Sequence, residues 1–174
     1  MESKNIVPAG PIDLGDCSCN RKMEELIRFD GYHTSYENIY REIYGIAAEE
    51  VAASEDYGAF IVHRQNAHDA LSLDELIRKY GDLTGYEWYC NELYVPGDIT
   101  DGRLGYAVCA LLDCLGKQLS RHYPGKVFFI CISVDTGEFK SVTAHYHRLR
   151  SGERYINENL EDFDQPVMTL VLQT

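Results

Sequence analysis

The sequence lacks the segments that direct a protein into or across a membrane. No run approaches the ~18 consecutive apolar residues that a membrane-spanning helix needs. Residues 1–16 contain no basic segment followed by an apolar stretch of ~7 to 15 residues, which a secretory signal would show. We therefore expect a cytoplasmic protein that does not act at a membrane.

Motifs typical of enzymes are also missing. The chain has no GxSxG nucleophile elbow, no phosphate-binding glycine loop, no dinucleotide fingerprint and no HExxH pair. Cys17 and Cys19 are separated by one residue, whereas redox and zinc pairs are separated by two. Cys109, Cys114 and Cys131 lie in apolar runs, which predicts that they belong to the core. These absences favour a protein without catalytic activity and without a cofactor.

Basic residues are few and unevenly placed. The chain has 16 Lys and Arg against 28 Asp and Glu, for a net charge of -12. Residues 1–101 contain 20 acids and 8 bases, whereas residues 102–174 contain 8 of each, so the excess negative charge lies in the first part. Such a field repels nucleic acid and anionic membranes and favours association with a basic protein surface.

The length and the apolar content predict a single folded domain. A chain of 174 residues, 45% of them apolar, can build its own core. Residues 1–16 have little periodicity and contain Pro8, Gly10, Pro11 and Gly15, so we predict a flexible arm there and one domain over residues 17–174. Helical spacing of apolar residues predicts helices over residues 21–29, 35–53 and 103–122.

Capping and turn signals add further elements. Ser72 and Glu75 have the spacing of a capping box, which predicts a helix that ends near Gly81. In residues 127–134 the side chains that would point to either face of a strand are apolar, which is typical of a central strand covered on both faces. The chain should then return as a hairpin over residues 138–148. Residues 59–63, 86–95 and 165–173 are also predicted strands. The predicted class is α+β, with N-terminal helices and a long central helix packed on a mainly antiparallel sheet.

Two histidines suggest a different kind of function. His145 and His147 are two residues apart on a predicted strand, so both side chains point to one face and could present two ligands to a metal. With a distant carboxylate this pair would suit a small metal-dependent hydrolase. The alternative is that both histidines lie on a solvated strand face beside Arg148 and Arg150.

The most distinctive pattern is the mixture of acidic and aromatic residues. The chain has 13 tyrosines, and those between residues 49 and 101 are interleaved with carboxylates. Tyrosine and tryptophan are enriched at protein interfaces, and acids around them speed the encounter with a basic partner. The alternative is that the aromatic residues belong to the core and the acids to ordinary solvated faces. The residues predicted to contact a protein partner are Glu49, Glu50, Glu55, Asp56, Tyr57, Glu87, Trp88, Glu92, Tyr94, Asp98 and Asp101.

The carboxyl-terminal stretch HYHRLRSGERYINENLEDFDQPVMTLVL, which starts at His145, resembles the end of bacterial immunity proteins from contact-dependent growth inhibition and other polymorphic toxin systems. The shared features are a strand, an RxxxGE-type turn, an aromatic-led ENLEDF turn and a final strand opened by Pro166. The resemblance implies a cytoplasmic, non-catalytic protein that binds and neutralises one cognate toxin domain, often a nuclease. A nuclease toxin commonly has a basic surface that holds phosphate, which an acidic inhibitor can occupy.

Overall fold

The chain forms a five-stranded antiparallel sheet with helices on both faces. The computed structural model describes residues 17–30, 37–50, 55–56, 59–60, 71–151 and 155–174. The helices are α1 (Arg21–Asp30), α2 (Glu37–Glu50), α3 (Leu73–Tyr80), α4 (Leu83–Cys90), α5 (Gly97–Thr100) and α6 (Leu104–His122). The strands are β1 (Cys17–Cys19), β2 (Glu55–Asp56), β3 (Ala59–Phe60), β4 (Glu92–Val95), β5 (Val127–Asp135), β6 (Ser141–Arg148) and β7 (Val167–Gln173). The predicted α+β class is confirmed.

Strand β5 lies at the centre of the sheet. The strand order is β1-β7-β5-β6-β4, and all neighbours are antiparallel. Ile130 of β5 pairs with Tyr146 of β6 on one side and with Leu170 of β7 on the other. This position confirms the prediction made from the apolar alternation. Strands β2 and β3 form a separate two-stranded pair.

One face of the sheet holds the main apolar core. Phe128, Ile130, Ile132 and Val134 alternate along β5, and all are buried in a cluster that includes residues of α1, α2 and α6. The apolar residues whose helical spacing predicts α6 all lie in this core and are buried: Leu104, Ala107, Val108, Leu111, Leu112, Leu115 and Leu119. Since β5 alternates every second residue, Phe129 and Cys131 point to the opposite face.

The opposite face is covered by α4 and by the segment that leads into β7. Cys131 and Val167 pack there with Leu160, which lies in a short 3-10 turn. Trp88 of α4 and Phe163 complete the same cluster, together with Phe129 and Ile156. Both faces of β5 are therefore covered, but the second cluster is much smaller than the first.

A polar contact joins α2 to α6. Lys117 Nζ lies 2.6 Å from Asp113 Oδ2 and donates to Tyr40 Oη at 2.9 Å. Tyr40 Oη in turn donates to the Asp113 carboxylate. Burial and the bond to Asp113 hold the pKa of Tyr40 well above its usual value, so the phenol stays protonated and can donate.

Asn20 connects the start of α1 to distant parts of the chain. The side chain is buried, and its Oδ1 accepts hydrogen bonds from Met23 N at 3.0 Å and from Val167 N at 3.1 Å. Its Nδ2 donates to Gln165 O at 2.8 Å and to Leu160 O at 3.4 Å. One amide thus caps α1 and ties it to the first residue of β7.

Local capping signals are reproduced in α3. Ser72 Oγ accepts from Glu75 N, and the Glu75 carboxylate accepts from Ser72 N at 2.8 Å, so both halves of the predicted capping box are present. The helix ends before Gly81, whose φ of 87° suits glycine. The predicted helices over residues 21–29 and 103–122 are also confirmed. The predicted helix over residues 35–53 appears as α2, and residues 35–36 and 51–53 of it lie outside the described residues.

The predicted strand over residues 86–95 is wrong in its first half. Residues 83–90 form α4, and only residues 92–95 form a strand. The Asp82 side chain accepts from Gly85 N at 2.6 Å and so starts the helix, and Tyr86 and Cys90 are buried against Leu76 of α3. Tertiary packing here overrides the β-propensity of the aromatic residues. Of the predicted strand over residues 59–63, residues 61–63 lie outside the described residues.

None of the helices in the described part of the chain is long and apolar enough to span a membrane.

Gly85 provides a test of the packing of α4. A Cβ added at Gly85 would lie 1.9 Å from Tyr155 Oη and 2.2 Å from Tyr80 O. We expect Gly85→Ala to lower the free energy of unfolding by about 1–3 kcal/mol, as overpacked sites do. Gly45→Ala in α2 is the control, since a Cβ there meets nothing within 4 Å; it should stabilise the helix by up to about 1 kcal/mol. Urea unfolding measures both, and equal effects would contradict this packing.

Candidate functional site

The β5–β6 turn and the segment after β4 meet at one end of the sheet. A Cβ at Gly97 would lie only 2.5 Å from Lys140 O, so the start of α5 closely approaches the backbone of the turn. Lys140 Nζ then donates to Asp101 Oδ1 at 2.6 Å. These two contacts fix α5 beside the turn and bring together segments that are about forty residues apart in sequence.

Acidic and aromatic side chains are exposed at this end. Phe139, in the turn, is 79% exposed, and Tyr94, on the edge strand β4, is 52% exposed. The carboxylates nearby are also exposed, and Asp135 shapes the turn by accepting from Gly137 N at 2.8 Å. We call this set the hairpin-end surface; it consists of Tyr94, Asp98, Asp101, Asp135, Glu138 and Phe139.

The hairpin-end surface has a negative charge balance. Residues 94–103 and 135–140 contain four acids and two bases. One acid, Asp101, is paired with Lys140, and this hydrogen bond and the positive charge lower its pKa. Asp98 and Glu138 form no ion pair with any residue that the structure describes. Their charges are therefore open to solvent and to a partner.

Half of this surface was not predicted from the sequence. The predicted contacts Glu92, Tyr94, Asp98 and Asp101 are exposed. Asp135, Glu138 and Phe139 were missed because they lie at and after the end of β5, and only the sheet register brings this turn beside α5. The sequence signal that could have identified this turn is the aromatic residue Phe139 among turn-forming residues, because side chains in turns usually lie at the surface.

Glu87 was predicted to contact a partner, and this prediction is wrong. Its side chain is fully buried. The carboxylate accepts from Arg150 Nη2 at 2.5 Å, from Arg150 Nη1 at 3.0 Å and from Arg148 N at 2.7 Å. A carboxylate in an apolar setting needs such partners, and Glu87 therefore anchors α4 to the end of β6. Trp88 is half-buried and packs on the sheet, and its predicted contact with a partner remains a prediction.

The remaining predicted contacts lie where the structure describes little. Glu49 and Glu50 are at the end of α2, and Glu55 and Asp56 form β2, but their side chains lie outside the described part. Tyr57 also lies outside the described residues. The contacts predicted for these five residues remain predictions.

The two histidines of β6 share a face of the sheet but are not solvated. His145 is half-buried, with its ring stacked on Trp88 at a centroid distance of 4.9 Å and its Nδ1 3.1 Å from Trp88 O. His147 is only 1% exposed. The prediction of a solvated strand face is therefore wrong, because α4 and the segment before β7 cover it. Among the described residues, no group of three or more His, Cys, Asp or Glu side chains could hold a metal.

Burial makes the thiols of Cys17, Cys114 and Cys131 poor nucleophiles. Cys114 and Cys131 are buried as predicted, and Cys109 is half-buried. Burial raises the pKa of Cys131 and that of Cys114 to about 12. Burial also raises the pKa of Cys17 to about 11, so these thiols are protonated at neutral pH and weakly nucleophilic.

One comparison with known proteins gives a result. A family model described as the Uncharacterized protein PM0498 family matches residues 18–173. The chain belongs to this family. The matched range includes β4 to β7 in full, β1 from Ser18 onward, and both segments of the hairpin-end surface. No curated protein and no solved structure matches the chain. The PM0498 match therefore covers nearly the whole chain.

The buried pair between Glu87 and Arg150 predicts a large stability effect. Arg150→Ala leaves the Glu87 carboxylate buried without its cation, and we expect the free energy of unfolding to fall by about 3–5 kcal/mol. A further Glu87→Gln substitution in that variant should restore part of the loss, since a neutral amide is cheaper to bury. Denaturant unfolding measures both variants.

The control for this pair is Lys140→Ala, which breaks the exposed contact with Asp101. An exposed ion pair contributes up to about 1 kcal/mol, so this variant should remain close to the wild type. An equally small loss for Arg150→Ala would contradict the buried pair.

Proposed function

We propose that this protein is an immunity protein that binds and neutralises a cognate, basic toxin domain of the nuclease type through its hairpin-end surface. The observation that carries the proposal is the meeting of exposed aromatic side chains with unpaired carboxylates at one end of the sheet. Phe139 and Tyr94 present apolar area, while Asp98 and Glu138 present charge. This combination suits a protein partner of opposite charge.

The charge distribution supports a basic partner. The net charge of -12 repels nucleic acid, so phosphate is an unsuitable ligand for the hairpin-end surface. A nuclease must attract phosphate and therefore commonly has a cationic groove, which carboxylates can occupy in place of the phosphates. The acids would speed association, and the two aromatic side chains would slow dissociation.

The resemblance of the C-terminal stretch to immunity proteins is the second support. That stretch provides β7 and the 3-10 turn that covers one face of the sheet. It also supplies Arg150, which holds the buried Glu87 carboxylate. Its part in this proposal is to build the scaffold, whereas contact with the toxin is made by the hairpin-end surface. An ordinary specific interface of about 1,600 Å² would extend beyond these six residues.

The partner can be sought with the full-length protein as bait in lysates of the cells that produce it, at low and high salt, with mass spectrometry of the retained proteins. We expect one basic toxin domain to be retained. The purified toxin should then lose its nuclease activity when one equivalent of this protein is added. A retained partner that is not a toxin, or a toxin that stays active in the complex, would refute the proposal.

Charge reversal on the hairpin-end surface should slow association with that toxin. Asp98→Lys combined with Glu138→Lys reverses two acids of this surface that form no described ion pair. We expect the association rate constant to fall about tenfold at low ionic strength, with a smaller effect at high salt. Stopped-flow fluorescence measures the rate. The matched control is Glu25→Lys with Asp74→Lys, which changes the net charge equally at exposed acids on α1 and α3. Equal slowing by both pairs would exclude the hairpin-end surface as the contact.

The aromatic part of the surface should act on dissociation. Phe139 is 79% exposed, so Phe139→Ala should not affect folding. If Phe139 fills a pocket of the toxin, its loss should raise the dissociation rate constant by at least tenfold and leave the association rate nearly unchanged. Surface plasmon resonance separates the two rates. Leu73→Ala, at an exposed leucine of α3, is the control, and an unchanged dissociation rate for Phe139→Ala would remove this residue from the interface.

A further inference from the structure

A cavity lies on the second face of the sheet, away from the hairpin-end surface. Its volume is about 320 Å³, and its walls come from β1, β5, β6, β7 and the segment around Ile156. Phe129, Val171 and Leu160 give it an apolar lining, and Thr169 and His147 add polar groups. The volume falls at the lower end of the range of small-molecule sites, about 300 to 1,000 Å³.

His147 gives the cavity its chemical character. The imidazole is 1% exposed, and its Nδ1 lies 2.8 Å from Arg148 O. A carbonyl oxygen only accepts hydrogen bonds, so Nδ1 carries the proton and donates it. Burial also lowers the pKa of His147, which keeps the ring neutral at physiological pH. The Nε2 atom is therefore a hydrogen-bond acceptor, and within the described part of the chain no hydrogen bond to it is found.

The walls of the cavity are aromatic on several sides. The ring centroids of Phe129 and His147 are 5.2 Å apart and tilted by 31°. Tyr155, which also lines the cavity, is held in place because its hydroxyl donates to Tyr80 O at 3.0 Å. Rings fixed in this way favour a planar aromatic guest through stacked and edge contacts.

The charges around the cavity favour an uncharged guest. No Lys or Arg lies among the described residues that line it. Arg150 lies near enough for its positive charge to help lower the pKa of His147, but it is already paired with the Glu87 carboxylate at 2.5 Å. Glu158 also lines the cavity and adds a carboxylate there rather than a cation. A carboxylate or phosphate ligand would thus lose its hydration without gaining a cation.

We infer that this cavity binds a small, uncharged aromatic molecule that carries one N–H or O–H donor, of the indole or phenol class. The donor bonds to His147 Nε2, and the ring lies between Phe129, Tyr155 and the aliphatic side chains. The cavity shares no residue with the hairpin-end surface, so the test of one proposal does not depend on the result for the other.

Indole and benzofuran form a matched pair of probes, because they have nearly the same shape and only indole has an N–H donor. The measurement is a titration of the ¹⁵N-labelled full-length protein, followed by NMR. We expect indole to shift the amide signals of Phe129, Thr169 and Val171, and to bind about 5- to 10-fold more tightly than benzofuran, as the loss of one hydrogen bond implies.

Substitutions locate the binding. His147→Phe removes the acceptor and keeps an aromatic ring, so indole should then bind as weakly as benzofuran, while the affinity for benzofuran stays within about twofold. Thr169→Phe should fill the cavity and abolish the binding of both probes. The control is Thr143→Phe, at a half-buried threonine on the same face of the sheet but outside the cavity lining, which should bind indole like the wild type.

Three results would overturn the inference, and two of them need only the wild-type protein. The first is equal affinity for indole and benzofuran, and the second is the absence of shifts at cavity residues up to the solubility limit of indole. The third is self-association of the wild-type protein that Thr169→Phe abolishes, since this would identify the occupant as a second copy of the chain.

Discussion

The rest of the structure depends on the position of β5 between two covered faces. Its residues alternate between a large apolar core shared with α6 and a smaller cluster around Cys131. A shift of the register by one residue would exchange these two sets and destroy both layers. Because β6 and β7 pair with β5 along most of its length, the same register also determines where Phe139 and His147 lie.

The predictions that succeeded rest on signals that are local in the sequence. The apolar residues from Leu104 to Leu119 recur at helical spacing and so encode the buried side of α6, and Ser72 with Glu75 encodes the start of α3.

The predictions that failed depend on contacts between residues that are distant in the sequence. The sequence around Tyr86 favours a strand, but packing on Leu76 makes it a helix. Glu87 resembles a surface acid until the fold brings Arg150 to it from 63 residues away. The spacing of residues in the sequence does not predict the pairing of Glu87 with Arg150, because this contact depends on tertiary structure.

The same distinction applies to the functional surfaces. Tyr94, Asp98 and Asp101 could be chosen from the sequence because acids and aromatics are neighbours there. Phe139 and Glu138 join them only through the antiparallel pairing of β4 with β6. The cavity beside His147 is built in a similar way, from four strands and the segment around Ile156. The sheet thus holds a charged surface at one end and an apolar cavity on one face, for which we propose two different kinds of ligand.

The hydrogen bonds of the Asn20 side chain affect the order in which the chain can fold. The cap of α1 is completed by groups 140 to 147 residues further along, so α1 cannot reach its native state before β7 is in place. During synthesis α1 leaves the ribosome long before β7 does. Met23 packs in a core that also needs residues of α6 and β7, so the apolar side of α1 stays unprotected until most of the chain has been made. This is the condition under which nascent chains depend on chaperones.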